Sequence, residues 1–373
     1  MAGQARRLIR WGLRGGGAVT LLAMVVLAAG LTIPGCPVGY VTRQSASYLQ
    51  VLAARQPVDR ALASGDLDEA WIPKIELLQD AKRFGTERLE LPAQDLYETI
   101  SLAQPGPTWV VTACAKDSLT PVTWWFPVVG RVSYKGFAKR EQAERQIERL
   151  GDVDVLFYPV SAFSTLGWFE DPIRPSMLRG DDEGIINLVL HEAAHGVLYW
   201  KGQTDFNESF ASFVGDTGTV RYLEDRLGPA CEPCLQAQTA RADAPRFSAL
   251  IAEVVERLNL LYDEPVSREE KLRRREEVFD WAKERYGEIP WEGSTFDYFQ
   301  QRDLDNAVIL SYRRYDSGQG TFDALLEQCN NDLVAAIHFV QGLDWPSLPR
   351  AQRRQTTPMD WLQEKLDEGI RCD

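Results

Sequence analysis

"LVLHEAAHGVLYWKGQTDFNESFASFVG", Leu188 to Gly215, holds two of the three histidines of the 373-residue chain. His191 and His195 are four apart, so on a helix they stand on one face, one turn from each other. Two imidazoles so placed can bind one Zn2+ at about 2.0–2.1 Å each. Glu192 follows His191 and points roughly 100° away around the axis. From there it would flank the attacking water instead of ligating the metal, which is where a general base belongs. A catalytic zinc also needs a third protein ligand and one open position. Glu208, thirteen residues past His195, is the candidate. It falls in the first turn of a second helix predicted to open near Asp205. Ala211, Ser212 and Gly215 lie on nearly the same face, and small residues there let the two helices approach closely. Each residue also has an ordinary reading. The histidines could be satisfied core residues, and Glu208 could close a capping box on Asp205. Three such coincidences in one short segment are a weaker explanation than one metal site.

Upstream, "DDEG" (Asp181–Gly184) puts acids where a helix dipole favours them, and Gly202 stands where a helix from Asp181 would end. From Asp181 onward the apolar spacing is almost wholly helical. Residues 37 to about 100 also read as helix, with Pro57 dividing two of them. Between these regions, Pro105–Phe137 carries short β-branched and aromatic runs broken by Pro and Gly, the pattern of a small, mostly antiparallel sheet. Lys139–Gly151 reads as a helix and Asp152–Phe169 as a return to strand. The expectation is a single α+β domain over residues 37–373, a small sheet followed by a predominantly helical half that carries the HExxH helix.

Residues 1–36 read as a signal or anchor segment. Arg6, Arg7, Arg10 and Arg14 precede the apolar run Ala18–Ile33, and "PGC" (Pro34–Cys36) follows, the layout of a secretory signal. Cys36 after a small residue resembles a bacterial lipobox. An uncleaved membrane anchor and simple cleavage remain the alternatives. All three place the body of the protein outside the cytoplasm, held at the membrane by a lipid or an anchor helix in the first two. The net charge of -13 argues against nucleic acid as a partner. Basic residues cluster only where acids interleave them, as in "KLRRREEVFDWAKERY" (Lys271–Tyr286), which reads as a solvated helix face. The exported compartment permits disulfides among Cys114, Cys231, Cys234, Cys329 and Cys372. "CEPC" (Cys231–Cys234) could close a tight bridge or help bind a metal, and the odd count leaves one thiol over. His338, in the apolar helix "LVAAIHFVQGL", reads as a core residue or a neighbour of the site, not a ligand.

HExxH followed by NExxA resembles the glutamate zincins. "TWWFPVVGRVSYKGF", "FSTLGWFEDP", "LVLHEAAHGVLYWKGQTDFNESFASFVGDTG" and "DNAVILSYRRY" resemble one bacterial group among them, an aminopeptidase family of envelope-anchored proteins. The resemblance covers nearly all of the exported part. It implies a zincin-like metallopeptidase domain, a Zn2+ cofactor on His191, His195 and Glu208, Glu192 as catalytic base, and a peptide substrate. It also favours a tyrosine in "NAVILSYRRY", so Tyr315 is the candidate oxyanion donor, with Tyr312 as the alternative. Thermolysin-like enzymes carry an Asp four residues after the ligand Glu, and here that position is Ser212. A carboxylate partner for a ligating histidine has to come from elsewhere. "STLGWF" (Ser164–Phe169) is a candidate edge strand for an extended peptide, with Glu170 and Asp171 just beyond it as candidate partners for a free ammonium. An endopeptidase, or an envelope protein holding a structural metal, would carry many of the same residues.

Overall fold

The structure, a computed structural model, describes residues 37–103, 106–126, 130–160, 171–316, 319–369 and 372. The chain falls into two units, Met1–Ala54 and Arg55–Asp373. In the first, helix α1 spans Pro37–Ala53. The signal-like segment with Cys36 lies outside the described residues, and no described helix is long and apolar enough to cross a membrane.

The second unit opens with β1 (Arg55–Pro57), whose partner is β2 (Thr99–Ser101), antiparallel. Pro57 also precedes helix α2 (Val58–Ser64), so the expected break falls at the proline, where the ring forbids continuation of a helix. Helix α3 (Ile72–Arg88) carries a proline in its first turn, where the missing N–H costs nothing. Strand β3 (Thr108–Ala115) then leads to the hairpin strands β4 (Trp124–Phe126) and β5 (Gly130–Val132). They are followed by β6 (Tyr134–Phe137), helix α4 (Arg140–Ile147) and β7 (Val153–Val160). The sheet order is β6-β3-β7, antiparallel throughout. The central strand reads TWVVTACA, apolar or small at nearly every position, and is buried along most of its length, as a strand covered on both faces must be.

The helical half comprises α5 (Asp182–Val197), α6 (Thr204–Leu227), α7 (Glu232–Asp263), α8 (Arg268–Glu288) and α9 (Tyr298–Gln301). It continues through α10 (Asn306–Asp316), α11 (Gln319–Gln328), α12 (Leu333–Gln341) and α13 (Pro358–Asp367). Small antiparallel sheets and a helical majority make the chain α+β, as expected. One core gathers Leu78, Leu190, Phe210, Phe213 and Phe322 between α3, α5, α6 and α11. A second joins the sheet to α7, α8, α9 and α10 through Cys114, Leu156, Phe247, Phe279, Phe299 and Tyr312. Each such aromatic or aliphatic side chain contributes about 1.5–3 kcal/mol on burial.

One detail departs from the sequence expectation and a second decides between its alternatives. The charged stretch of α8 is a solvated face in most places, with exposed pairs such as Arg273–Glu270, but Arg275 turns inward. Its guanidinium donates to Asp154 on β7 at 2.7 Å, and the same carboxylate accepts from the Asn306 backbone N–H at 3.1 Å. The cysteines pair as Cys231–Cys234 and Cys329–Cys372, and Cys114 is the buried odd thiol. "CEPC" is therefore a bridge and not a metal half-site.

Candidate metal centre

Helix α5 begins on Asp181, whose carboxylate accepts from the Gly184 N–H at 2.8 Å. It ends at Val197, five residues before the expected stop at Gly202. Leu198 turns to extended backbone, and the connection to α6 is clamped at Trp200. The buried Asn207 side chain accepts from the Trp200 N–H and donates to its carbonyl, both at 2.9 Å, and Trp200 stacks on Phe206 at 4.7 Å. Gly202, with φ of 78°, makes the turn instead of ending the helix. Helix α6 starts at Thr204, with Gln203 at the cap position and no side-chain cap, so Asp205 sits inside the helix and is not the capping-box residue.

The clamp fixes α6 antiparallel against α5 and brings Glu208 to the two histidines. Glu208 Oε2 lies 3.5 Å from His191 Nε2 and 3.9 Å from His195 Nε2. A tetrahedron drawn with metal–ligand bonds near 2.1 Å has edges of about 3.4 Å. His191, His195 and Glu208 form the one cluster of three candidate ligand groups among the described residues. The chemistry of His195 also fits a metal. Its side chain is 6% exposed, its Nδ1 is buried with no hydrogen-bond partner, and its Nε2 is too far from Glu208 for a good hydrogen bond. A buried imidazole with neither nitrogen satisfied calls for a ligand.

The electrostatics separate the two imidazoles. Burial pushes His195 down to about 4, against the pull of Glu208, so it is neutral at physiological pH with a lone pair to give. Burial also opposes charge on His191, but the hydrogen bond to Glu208 and the charges of Glu192, Glu208 and Asp216 outweigh it and hold His191 above its ordinary value. Asp216 is a further carboxylate whose charge acts on His191, although its hydrogen bond goes to Asn187 and not to either histidine. It lies two turns beyond Glu208 and accepts from Asn187 Nδ2 at 2.7 Å, one turn before His191. Spacing alone could have found it, because residues 208, 212 and 216 share a stripe of α6 that is not fully buried.

Tyr97 was not visible as a site residue in the sequence. It is 3% exposed and adopts a left-handed φ of 57°, unusual for an aromatic residue. Gln79 Nε2 on α3 donates to its carbonyl at 2.8 Å. Ile173 N–H donates to Thr99 O, and Ser101 N–H to Ile173 O, which brings residues 97–101 alongside 171–174. Burial, then the charges of Glu192 and Asp171, holds the Tyr97 phenol well above its usual value, so it stays protonated. Tyr199, 37% exposed, is raised by burial and by Glu208.

Other expected residues fall elsewhere. Tyr312 packs among Phe247, Tyr298 and Phe299 in the second core. Tyr315 is on α10, with its side chain outside what is described. The candidate strand Ser164–Phe169 and Glu170 also lie outside the described residues. His338 is not a core residue: its side chain is 45% exposed and its Nε2 is 3.1 Å from Glu90.

An α+β body in which an HExxH helix and a following glutamate helix gather two imidazoles and a carboxylate defines a protein with a candidate metal site of hydrolase type. The chain belongs to the family described as "Putative aminopeptidase", whose model matches residues 39–357. That membership supports peptidase function in general terms. No curated protein and no solved structure matches the chain.

Proposed function

We propose that the protein is a zinc-dependent peptidase that removes residues from peptide N-termini at the cell envelope. The observation that carries this reading is the triangle of His191, His195 and Glu208, with Glu192 one residue around the helix from the first ligand. A mixed nitrogen and carboxylate set suits Zn2+, and with no fourth candidate ligand in the cluster among the described residues, one position stays open to substrate. Zinc held there supplies a Lewis acid that polarises the scissile carbonyl and acidifies water. Glu192 takes the proton from the attacking water and passes it to the departing amine. Asp216, which accepts from Asn187, adds negative charge that favours the charged form of His191. Tyr97, whose buried phenol stays protonated, and Tyr315 are the candidate donors to the developing oxyanion.

The exopeptidase part rests on charge. A free ammonium taken from water needs an anionic partner. Asp171, one of the two acids read from the sequence as partners for that ammonium, acts through its charge on the same buried phenol as Glu192. The test is one peptide offered with a free and an acetylated N-terminus. Acetylation is expected to abolish cleavage. Equal cleavage of the two, or faster cutting of internal bonds, would make the enzyme an endopeptidase.

The envelope location rests on the arginine-rich start, the apolar run Ala18–Ile33 and Cys36. Acylation of Cys36 is expected from the mass of the mature N-terminus, and an intact Met1 would point to the uncleaved anchor instead.

A further inference from the structure

Helix α6 passes to α7 through Leu227–Leu235, LGPACEPCL, and the Cys231–Cys234 bridge lies in this corner. Cys231 is the N-cap residue of α7, a helix of 32 residues, and its sulfur accepts from the Cys234 N–H at 3.0 Å. The two sulfurs are not equally placed. Cys234 is fully buried in the first core, while Cys231 is only partly covered. A thiol arriving from solvent can reach Cys231 and not Cys234, which fixes where an exchange would begin.

Two further features belong to this bridge. The first is its apolar flank. Leu227 is 59% exposed and Leu235 52%, and Pro229 and Ala230 are exposed as well. Backbone bonds from Cys231 N–H to Gly228 O, at 3.2 Å, and from Leu235 N–H to Cys231 O, at 3.0 Å, hold both leucines close to Cys231. Glu232 is the only charged residue from Leu227 to Leu235. Exposed apolar side chains beside a reachable sulfur suit a protein partner more than a small thiol. The second feature is a place for the products. Cys234 Sγ lies 3.3 Å from the Gly228 carbonyl oxygen, so a reduced Cys234 has an acceptor for its S–H in place. Cys231, once released, faces the Cys234 N–H and the N-terminal end of α7, where negative charge is favoured.

We infer that Cys231–Cys234 is a thiol–disulfide exchange site, which accepts two electrons from a dithiol protein docked on the surface around Leu227 and Leu235. A thiolate of the partner attacks Cys231 Sγ. The Cys231–Cys234 bond breaks, its electron pair stays on Cys234 Sγ, and that sulfur takes a proton. The partner's second thiolate then attacks the partner's own sulfur in the mixed disulfide and expels Cys231, which takes the second proton. The partner leaves as a disulfide and this chain as a dithiol, with two electrons and two protons transferred. The step uses none of His191, His195 and Glu208. Leu227 stands 19 residues past Glu208 on α6, about 28 Å along the helix, so the site does not depend on the peptidase reading.

The test exposes the folded full chain to dithiothreitol, blocks free thiols with N-ethylmaleimide at intervals, and reads each cysteine by peptide mass. Cys231 and Cys234 are expected to be labelled at least about tenfold faster than Cys329 and Cys372. Cys114, buried and unbridged, should stay unlabelled and so report that the fold is closed. Oxidised glutathione should form a mixed disulfide with Cys231 in Cys234→Ser, and should leave Cys234 unmodified in Cys231→Ser. Reduced thioredoxin serves as the protein dithiol. Its rate is expected to fall about fivefold or more when Leu227→Ser and Leu235→Ser are combined, with the dithiothreitol rate unchanged. The inference is overturned if both bridges are reduced together, or if Cys231 and Cys234 are labelled only in step with Cys114. It is also overturned if glutathione is taken up as readily by Cys234 as by Cys231, or if thioredoxin reduces the leucine variant as fast as the parent.

Discussion

Gly215 on α6 lies directly against His191 on α5. A Cβ at position 215 would stand 3.2 Å from the His191 Cβ and 3.3 Å from both the side-chain nitrogen and the carbonyl oxygen of Asn187. The helix pair can hold Glu208 within reach of both histidines only because the interface carries no side chain at that point.

Gly215→Ala therefore separates stability from metal binding. An alanine within a helix gains up to about 1 kcal/mol over glycine. Overpacking costs about 1–3 kcal/mol, and here the opposing atoms are a Cβ and a backbone oxygen that cannot swing aside. The metal-free protein is expected to lose no more than about 2 kcal/mol on balance. Metal affinity is expected to fall by about tenfold or more, because His191 is pushed from its place opposite Glu208. Denaturant melts of the metal-free protein and a competitive chelator titration measure the two effects. Unchanged metal affinity would mean that the close approach is not what sets the ligand geometry.

The Asp154–Arg275 pair ties the sheet to α8, with side chains 5% and 11% exposed. Removing the cation leaves a buried carboxylate with one backbone N–H and no countercharge. Arg275→Met is expected to destabilise the chain by about 3–5 kcal/mol, and Asp154→Asn in the same chain should recover part of that loss. Urea unfolding of the single and double variants measures the coupling. A single variant within about 1 kcal/mol of the parent would show the pair to be as weak as an ordinary surface bridge.

The two disulfides should differ in what they contribute. Cys329–Cys372 spans 43 residues and Cys231–Cys234 only 3. Loop-closure entropy assigns about 4 kcal/mol to the first and about 2 kcal/mol to the second. Thermal melts of Cys372→Ser and Cys231→Ser should show the larger fall for Cys372→Ser. The reverse order would mean that the short bridge at the start of α7 secures more than its own loop.

The metal cluster was readable in the sequence because helical spacing is local. His191, His195 and Glu208 need only one helix face and a short connection, and Ala211 and Gly215 announce the close contact. What the sequence hid is long-range. Tyr97 is buried where the charge of Glu192 acts on it, and its place is set by the pairing of residues 99–101 with Ile173 and the anchor of its carbonyl to Gln79. The early end of α5 depends on Asn207 capturing Trp200, a bond between residues that no periodicity links. His338 looked internal because its neighbours Ile337 and Val340 are, yet its own position faces outward to Glu90. Arg275, in a run of charged residues, betrays its burial only through Asp154, 121 positions away.

The most direct measurement compares the full chain with its Glu192→Gln variant, each produced with zinc present, by elemental analysis and by hydrolysis of a free N-terminal peptide. With His191, His195 and Glu208 as ligands and Glu192 as base, both proteins carry about one zinc per chain, and the substitution lowers hydrolysis by at least about a hundredfold. A variant that loses its zinc, or one that keeps both its zinc and its activity, would contradict the assignment of the two glutamates and the mechanism built on it.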